Sequence, residues 1–95
     1  MSRIACLALF LTAAPLAAQA ACFADYKAKR EPPLRLHYGV IALPDTACAS
    51  RAAAAAETAR RLRAEGWELL DLMALFGPEG LAERQADAGA FYLRY

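Results

Sequence analysis

The first twenty residues limit how much of the chain is left to fold. Ser2 and Arg3 precede an apolar run over residues 4–16, and Ala18-Gln19-Ala20 then offers small residues at both positions that a signal peptidase reads. This pattern predicts a secretory signal peptide, residues 1–20, that is cleaved after Ala20. Removal of 20 residues from 95 leaves 75, which is enough for one small domain and too few for most multidomain enzymes.

Two other interpretations of this leader stay open. It could be retained as an anchor, although the apolar run is shorter than the roughly 20 residues that a membrane-spanning helix needs and carries Pro15 near its end. A lipoprotein attached through Cys22 is disfavoured, because Gln19 stands where the lipoprotein signal has an aliphatic residue, three places before the cysteine. We therefore expect no membrane span after signal cleavage.

The charges of the mature chain are balanced. Of 11 basic residues, Arg3 leaves with the leader, so that 10 remain against 10 acidic residues. Nucleic acid and anionic lipid surfaces both attract a clustered basic excess, and neither is expected as a partner. The cluster Arg60, Arg61 and Arg63 is a local exception that we interpret as the solvated side of a helix.

The cysteines point to an oxidising compartment. Cys6 leaves with the leader, and the remaining pair, Cys22 and Cys48, predicts one disulfide in a periplasmic or secreted protein. Abundant alanine and a preference for arginine over lysine suggest a bacterial genome of high GC content. A metal site is disfavoured because neither cysteine has a second Cys or His at ligand spacing, and no cofactor is expected.

The first half of the mature chain predicts a tethered N-terminal arm or helical turn and then one strand. Residues 21–33 are polar and mixed and end in Pro32-Pro33, which predicts an N-terminal arm or a single helical turn. Alternation over residues 34–43, stopped by Pro44, predicts the first strand of a domain that covers residues 34–95.

The second half predicts a helix followed by two strands. Residues 52–65 are dense in strong helix formers, and Gly66 ends them as a left-handed cap. The apolar run over residues 67–76 predicts a second strand, residues 81–88 one or two helical turns, and residues 90–95 a third strand. The predicted fold is an α+β domain, a three-stranded sheet with one covering helix in the order β-α-β-β.

The stretch Glu65-Gly66-Trp67-Glu68-Leu69-Leu70 resembles a family of very small bacterial domains of unknown function. Their pattern is a strand, an amphipathic helix that ends in a Gly-Trp-Glu-Leu motif, a strand that runs out of the motif, and a last strand. The chain departs from this pattern in its signal peptide, its cysteine pair and the long connection over residues 77–89. The resemblance implies the same fold and no particular chemistry.

Alternation along the strands assigns side chains to the two faces of the predicted sheet, if Asp71 is kept out of the core. The face toward the helix would carry Leu36, Tyr38, Val40, Leu70, Leu72, Ala74, Phe91 and Leu93. The open face would carry Arg35, His37, Ile41, Leu69, Asp71, Met73, Tyr92 and Arg94. A surface that mixes apolar with charged groups in this way is typical of contact with a partner.

These observations predict a non-catalytic interaction or accessory module. The open face would serve for homodimerisation or for docking on a larger envelope protein, and the alternative is a small-molecule or ion-binding protein that uses the same face. An acid-base pair of His37 and Asp71 is a minor alternative, because no nucleophile, metal cluster or phosphate-binding glycine loop completes a mechanism. We do not expect an enzyme.

Overall fold

The structure, a computed structural model, describes residues 20–95. Apart from Ala20, the predicted signal peptide lies outside this range. The helices and strands are β1 (Cys22–Arg30), β2 (Arg35–Leu43), α1 (Arg51–Ala64), β3 (Glu68–Phe76) and α2 (Ala82–Ala88). The sheet is antiparallel with strand order β2-β1-β3. The predicted α+β class with a three-stranded sheet is confirmed, but the order of the elements is β-β-α-β-α.

The central strand, β1, lies where the sequence predicts an arm or a helical turn, and that prediction is wrong. Lys27 and Lys29 give the segment its polar character, yet they alternate with Ala24, Tyr26 and Ala28, which are buried. Small and aromatic side chains therefore face the core from every second position, as a half-covered strand requires. The alanines carry too little apolar surface to mark this alternation clearly.

The predicted third strand over residues 90–95 is also wrong. The structure has a short 3-10 turn at Gly89–Phe91, followed by a chain that makes one isolated bridge, between Tyr92 and Val40. The amide of Leu93 donates to the oxygen of Val40 over 2.9 Å. Gly89 and Leu93 both have positive φ values, 53° and 54°, which interrupt the extended conformation on either side of the bridge.

Helix α1 begins and ends with local caps, and the one at Gly66 is the one that the sequence predicts. The Ser50 hydroxyl accepts from the amide of Ala53 at the first turn. At the other end Gly66 has a φ of +84°, and the amide of Trp67 donates to the oxygen of Leu62. Gly66 therefore directs the chain out of the helix and into β3.

We expect Gly66→Ala to lower the free energy of unfolding by about 1 kcal/mol or more, because a Cβ atom is disfavoured in this conformation. There is room for the atom itself, since its nearest neighbour would be the Arg30 side chain at 3.7 Å. Urea denaturation followed by circular dichroism measures the change. Gly66→Asn is the control and should cost less, because asparagine tolerates positive φ. An alanine variant as stable as the parent would contradict this assignment of the helix end.

Each face of the sheet carries its own apolar cluster. On the face that α1 covers, called here the α1 face, Tyr26 and Ile41 pack with Leu62. On the other, called the second face, Phe23 and Val40 pack with Ala88 of α2. Because α2 is short, it covers only the part of the second face near these residues.

Two further links hold the fold together. The predicted disulfide between Cys22 and Cys48 is present and joins the start of β1 to the turn before α1. On the second face the buried carboxylate of Asp25 accepts hydrogen bonds from the Tyr38 hydroxyl, the Arg84 guanidinium and the amide of Ala74, at 2.9, 3.0 and 2.9 Å. Arg84 belongs to α2, so Asp25 fixes that helix on the sheet.

Candidate functional site

The face predicted to be open is not one surface in the structure. His37, Ile41 and Leu69 lie on the α1 face, where Ile41 is fully buried and Leu69 packs against the core. Both faces of β2 carry apolar residues, since Val40 and Ala42 are buried on the other side. Alternation alone therefore could not say which face of β2 the helix covers.

Two bulges in β3 shift the alternation that assigned its residues to faces. The register of β3 on β1 skips one residue at Met73 and another at Leu70. Each extra residue reverses the in-and-out order of the residues after it. As a result Leu72 lies in the core of the α1 face, while Leu70 is exposed.

The other members of the predicted face are scattered. Asp71 and Met73 are exposed on β3, and Arg35 is exposed at the start of β2. Tyr92 is half-buried against the apolar cluster of the second face, and Arg94 is exposed beside the rings of the α1 face. The predicted set therefore cannot act as one interaction surface.

His37 is enclosed by aromatic rings. It stacks on Phe91 with the ring centroids 3.7 Å apart, and it meets the edge of Trp67 at 4.3 Å. A hydrogen bond of 2.9 Å joins its Nε2 to the hydroxyl of Tyr26. Its Nδ1 has no hydrogen-bond partner in residues 20–95.

This environment keeps His37 neutral and separates it from Asp71. Burial, with smaller effects of Arg30 and Arg94, lowers the pKa of His37 to about 4. In register, Asp71 lies opposite Lys27 on the second face, whereas His37 is opposite Ala28 on the α1 face. The sheet thus separates the two residues of the considered acid-base pair.

The structure brings together a different set on the uncovered part of the second face. We call it the exposed patch, and it consists of Lys27, Leu36, Tyr38, Leu70 and Asp71. Cross-strand partners share a face, and Lys27 on the central strand pairs with Tyr38 on one side and Asp71 on the other. Leu36 and Leu70 are 65% and 49% exposed and border a shallow hollow of about 340 Å³.

The exposed patch carries both charges and a fixed phenol. Burial and the hydrogen bond to Asp25 raise the pKa of Tyr38 to about 12, so that its hydroxyl stays protonated and acts as a donor. Lys27 and Asp71 are exposed and make no ion pair within the part of the chain that the structure describes. The patch thus combines two large apolar side chains with one cation and one anion that stay hydrated.

The free edges of the sheet are partly occupied. On β3 the Arg51 guanidinium donates to the backbone oxygens of Leu72 and Met73, and the two bulges interrupt the strand. On β2 the oxygen of Val40 already accepts from Leu93. Protein sheets use such devices to discourage pairing with another strand.

Alternation in the sequence groups three side chains of the exposed patch on one face, but it places the covering helix on that same face. Alternation placed Leu36, Tyr38 and Leu70 together on one face, as the structure does, and that face was predicted to lie under the helix. Lys27 belongs to neither predicted face, because the sequence predicts an arm or a helical turn over residues 21–33 and not a strand. The sequence therefore predicts which side chains share a face, but it does not predict that this face is exposed.

Within residues 20–95 there is no helix long and apolar enough to cross a bilayer, and there is no group of three or more His, Cys, Asp or Glu side chains placed to hold a metal ion. Comparisons with protein-family models, with curated proteins and with solved structures found no match to this chain.

Proposed function

We propose that this protein is a non-catalytic interaction module that binds a protein partner through the exposed patch. The observation that carries the proposal is the pair Leu36 and Leu70, two large apolar side chains that stand exposed on a sheet face whose other part is covered. Exposed apolar groups bordered by charges are typical of surfaces that another protein covers.

The compartment is inferred from the cysteines and the leader. The disulfide between Cys22 and Cys48 supports folding in an oxidising environment. The signal-peptide pattern over residues 1–20 supports export. We therefore place the protein in the periplasm or outside the cell, with an envelope protein or a second copy of the chain as the partner.

The occupied edges favour the face over the edges as the contact surface. A partner that adds a strand needs a row of free backbone groups along an edge strand. Arg51 occupies two acceptors on β3, and residues 92 and 93 lie on β2. A partner that packs on the exposed patch needs neither edge.

A small-molecule or ion-binding role at the same place is the second candidate, and the hollow of about 340 Å³ favours it. Its volume is at the lower end of the range for small-ligand sites, about 300 to 1,000 Å³. The exposure of Leu36 and Leu70 weighs against this role, because a small ligand there would leave much of both side chains in water.

We expect Leu36→Glu to abolish self-association or partner binding while it leaves the fold intact. The leucine is 65% exposed, so the folded monomer tolerates the charge, whereas an interface would have to bury it unpaired. Sedimentation velocity of the mature protein at several concentrations, and co-purification from envelope extracts, measure the two kinds of binding.

Ala56→Glu is the matched control, because Ala56 is exposed on α1, away from the second face. It should bind like the parent. If Leu36→Glu also binds like the parent, or if both variants lose binding equally, the exposed patch is not the interaction surface. Loss of a bound small molecule with Leu36→Glu, in a protein that is always monomeric and partner-free, would favour the second candidate.

A further inference from the structure

Residues 89–95 wrap around the free edge of β2, and we call them the strap. Tyr92 and Leu93 pack on the apolar cluster of the second face, while Phe91 and Tyr95 pack on the α1 face. Between these contacts the strap crosses the edge at the Tyr92–Val40 bridge. It thus contacts both faces of the sheet and one edge strand.

Two hydrogen bonds and one ring stack add to the apolar contacts that keep the strap closed. The Leu93 amide donates to the Val40 oxygen over 2.9 Å, and the Phe91 ring stacks on His37 at 3.7 Å. Arg61 donates to the oxygen of Tyr95 over 3.4 Å, a long hydrogen bond. At the other end Gly89 has a φ of +53°, a conformation that glycine adopts without strain, and no atom lies within 4 Å of the position of a Cβ atom.

His37 lies under the strap without a counter-ion. The titratable and charged groups around it are Tyr26 and Arg30 on β1 and Arg94 and Tyr95 on the strap, and Trp67 adds only its ring. The side chains that α1 contributes to this cluster are alanine and leucine. Within the described residues, no carboxylate makes an ion pair with His37.

A protonated His37 does not fit the closed strap. An imidazolium has two N–H donors, and only Nε2 has a partner, the Tyr26 hydroxyl. The second donor would be buried without an acceptor, and the positive charge would stand near Arg30 and Arg94. Moving the strap away admits water, which can accept from Nδ1, and takes Arg94 away from the ring, while Arg30 stays on β1 and is screened by the water.

We propose that residues 89–95 form an acid-released strap, closed on β2 at neutral pH and opened when His37 takes up a proton. Opening uncovers the edge of β2 at Val40 and an aromatic surface of Tyr26, His37 and Trp67. The strap and the exposed patch share no residue, although His37 also lines the hollow beside the patch. The inference does not rest on the proposed function, because its test measures opening of the strap and not binding.

Linkage gives the direction and size of the effect. Burial holds the pKa of His37 at about 4 in the closed state, whereas a solvated histidine has about 6.5. Closure is therefore fully favoured above about pH 6.5 and loses its advantage as the pH falls toward about 4. Between about pH 7.5 and about pH 5 the opening constant should rise about thirtyfold.

Amide hydrogen exchange of the mature protein, corrected for intrinsic rates, tests the proposal. The Leu93 amide should lose protection by about thirtyfold between about pH 7.5 and about pH 5. The free energy of opening at the Tyr26 amide, on the central strand, should stay well above that at the Leu93 amide at both pH values, although protonation of His37 lowers both by linkage. Unchanged protection at Leu93, or equal free energies of opening at the two amides, would overturn the proposal, since the second result means that Leu93 exchanges only by global unfolding.

Two variants test the roles of Phe91 and His37 separately. Phe91→Ala removes the stacking partner of His37, so the Leu93 amide should already be unprotected at about pH 7.5. His37→Gln keeps a group that can hydrogen-bond with Tyr26 and does not titrate, so the pH dependence at Leu93 should disappear. A pH dependence that persists in folded His37→Gln would overturn the role of His37.

Discussion

Asp25→Ala should lower the free energy of unfolding by about 3 to 5 kcal/mol, the range observed when one partner of a buried ion pair is removed. Asp25 is 6% exposed, and its carboxylate accepts from Tyr38, Arg84 and the amide of Ala74. Alanine leaves these three donors without their acceptor and loosens α2 from the sheet. Urea denaturation monitored by circular dichroism measures the loss.

Tyr38→Phe is the control, because it removes a single donor and leaves the carboxylate with its other two partners. It should cost about 1 kcal/mol, the usual contribution of one hydrogen bond. If Asp25→Ala were no more destabilising than Tyr38→Phe, the carboxylate would not be the group that fixes α2 on the second face.

Loss of the disulfide should lower the free energy of unfolding by about 3 to 4 kcal/mol, as the chain-entropy model gives for a loop of this length. Cys22 and Cys48 are 26 residues apart, and their bond ties β1 to the segment that leads into α1. A domain this small has a net stability of about 5 to 10 kcal/mol, so the bond carries a large share.

The double variant Cys22→Ser and Cys48→Ser, compared with the oxidised parent in urea, measures this contribution. The reduced parent is the control and should resemble the double variant, because both lack only the cross-link. A reduced protein as stable as the oxidised one would show that the bond does not stabilise the fold.

Local signals were sufficient for the helix and the disulfide. The cap at Ser50 and the left-handed Gly66 lie within a few residues of the helix ends that they determine. The pairing of Cys22 with Cys48 needed only a count of the cysteines that lie beyond the predicted signal peptide. Such features depend little on the conformation of the rest of the chain.

The strands depended on contacts that are distant in sequence. Residues 22–30 become a strand because β2 and β3 flank them on both sides and α1 buries their small side chains. Residues 90–95 alternate like a strand, but β1 already occupies the central position and the chain folds over the edge of β2. Tertiary context therefore overrode local pattern at both ends of the domain.

Contacts that are distant in sequence also explain why the exposed patch could not be predicted. Alternation grouped Leu36 with Leu70 correctly, and the choice of covered face then needed the position of α1, which no local pattern supplies. The bulges at Leu70 and Met73 arise from pairing with β1 and leave no clear mark in the sequence. His37 was predicted to be exposed for the same reason, although it is 9% exposed under the strap.

Site-specific photo-crosslinking of the protein in its native host tests the exposed patch most directly. A photoreactive amino acid is placed at position 36 or at position 70, and at position 56 on α1 as the control. The proposed function predicts the same adduct, to an envelope protein or to a second copy of the chain, from positions 36 and 70 and none from position 56. No adduct at the two patch positions, or equal adducts at all three, would contradict it.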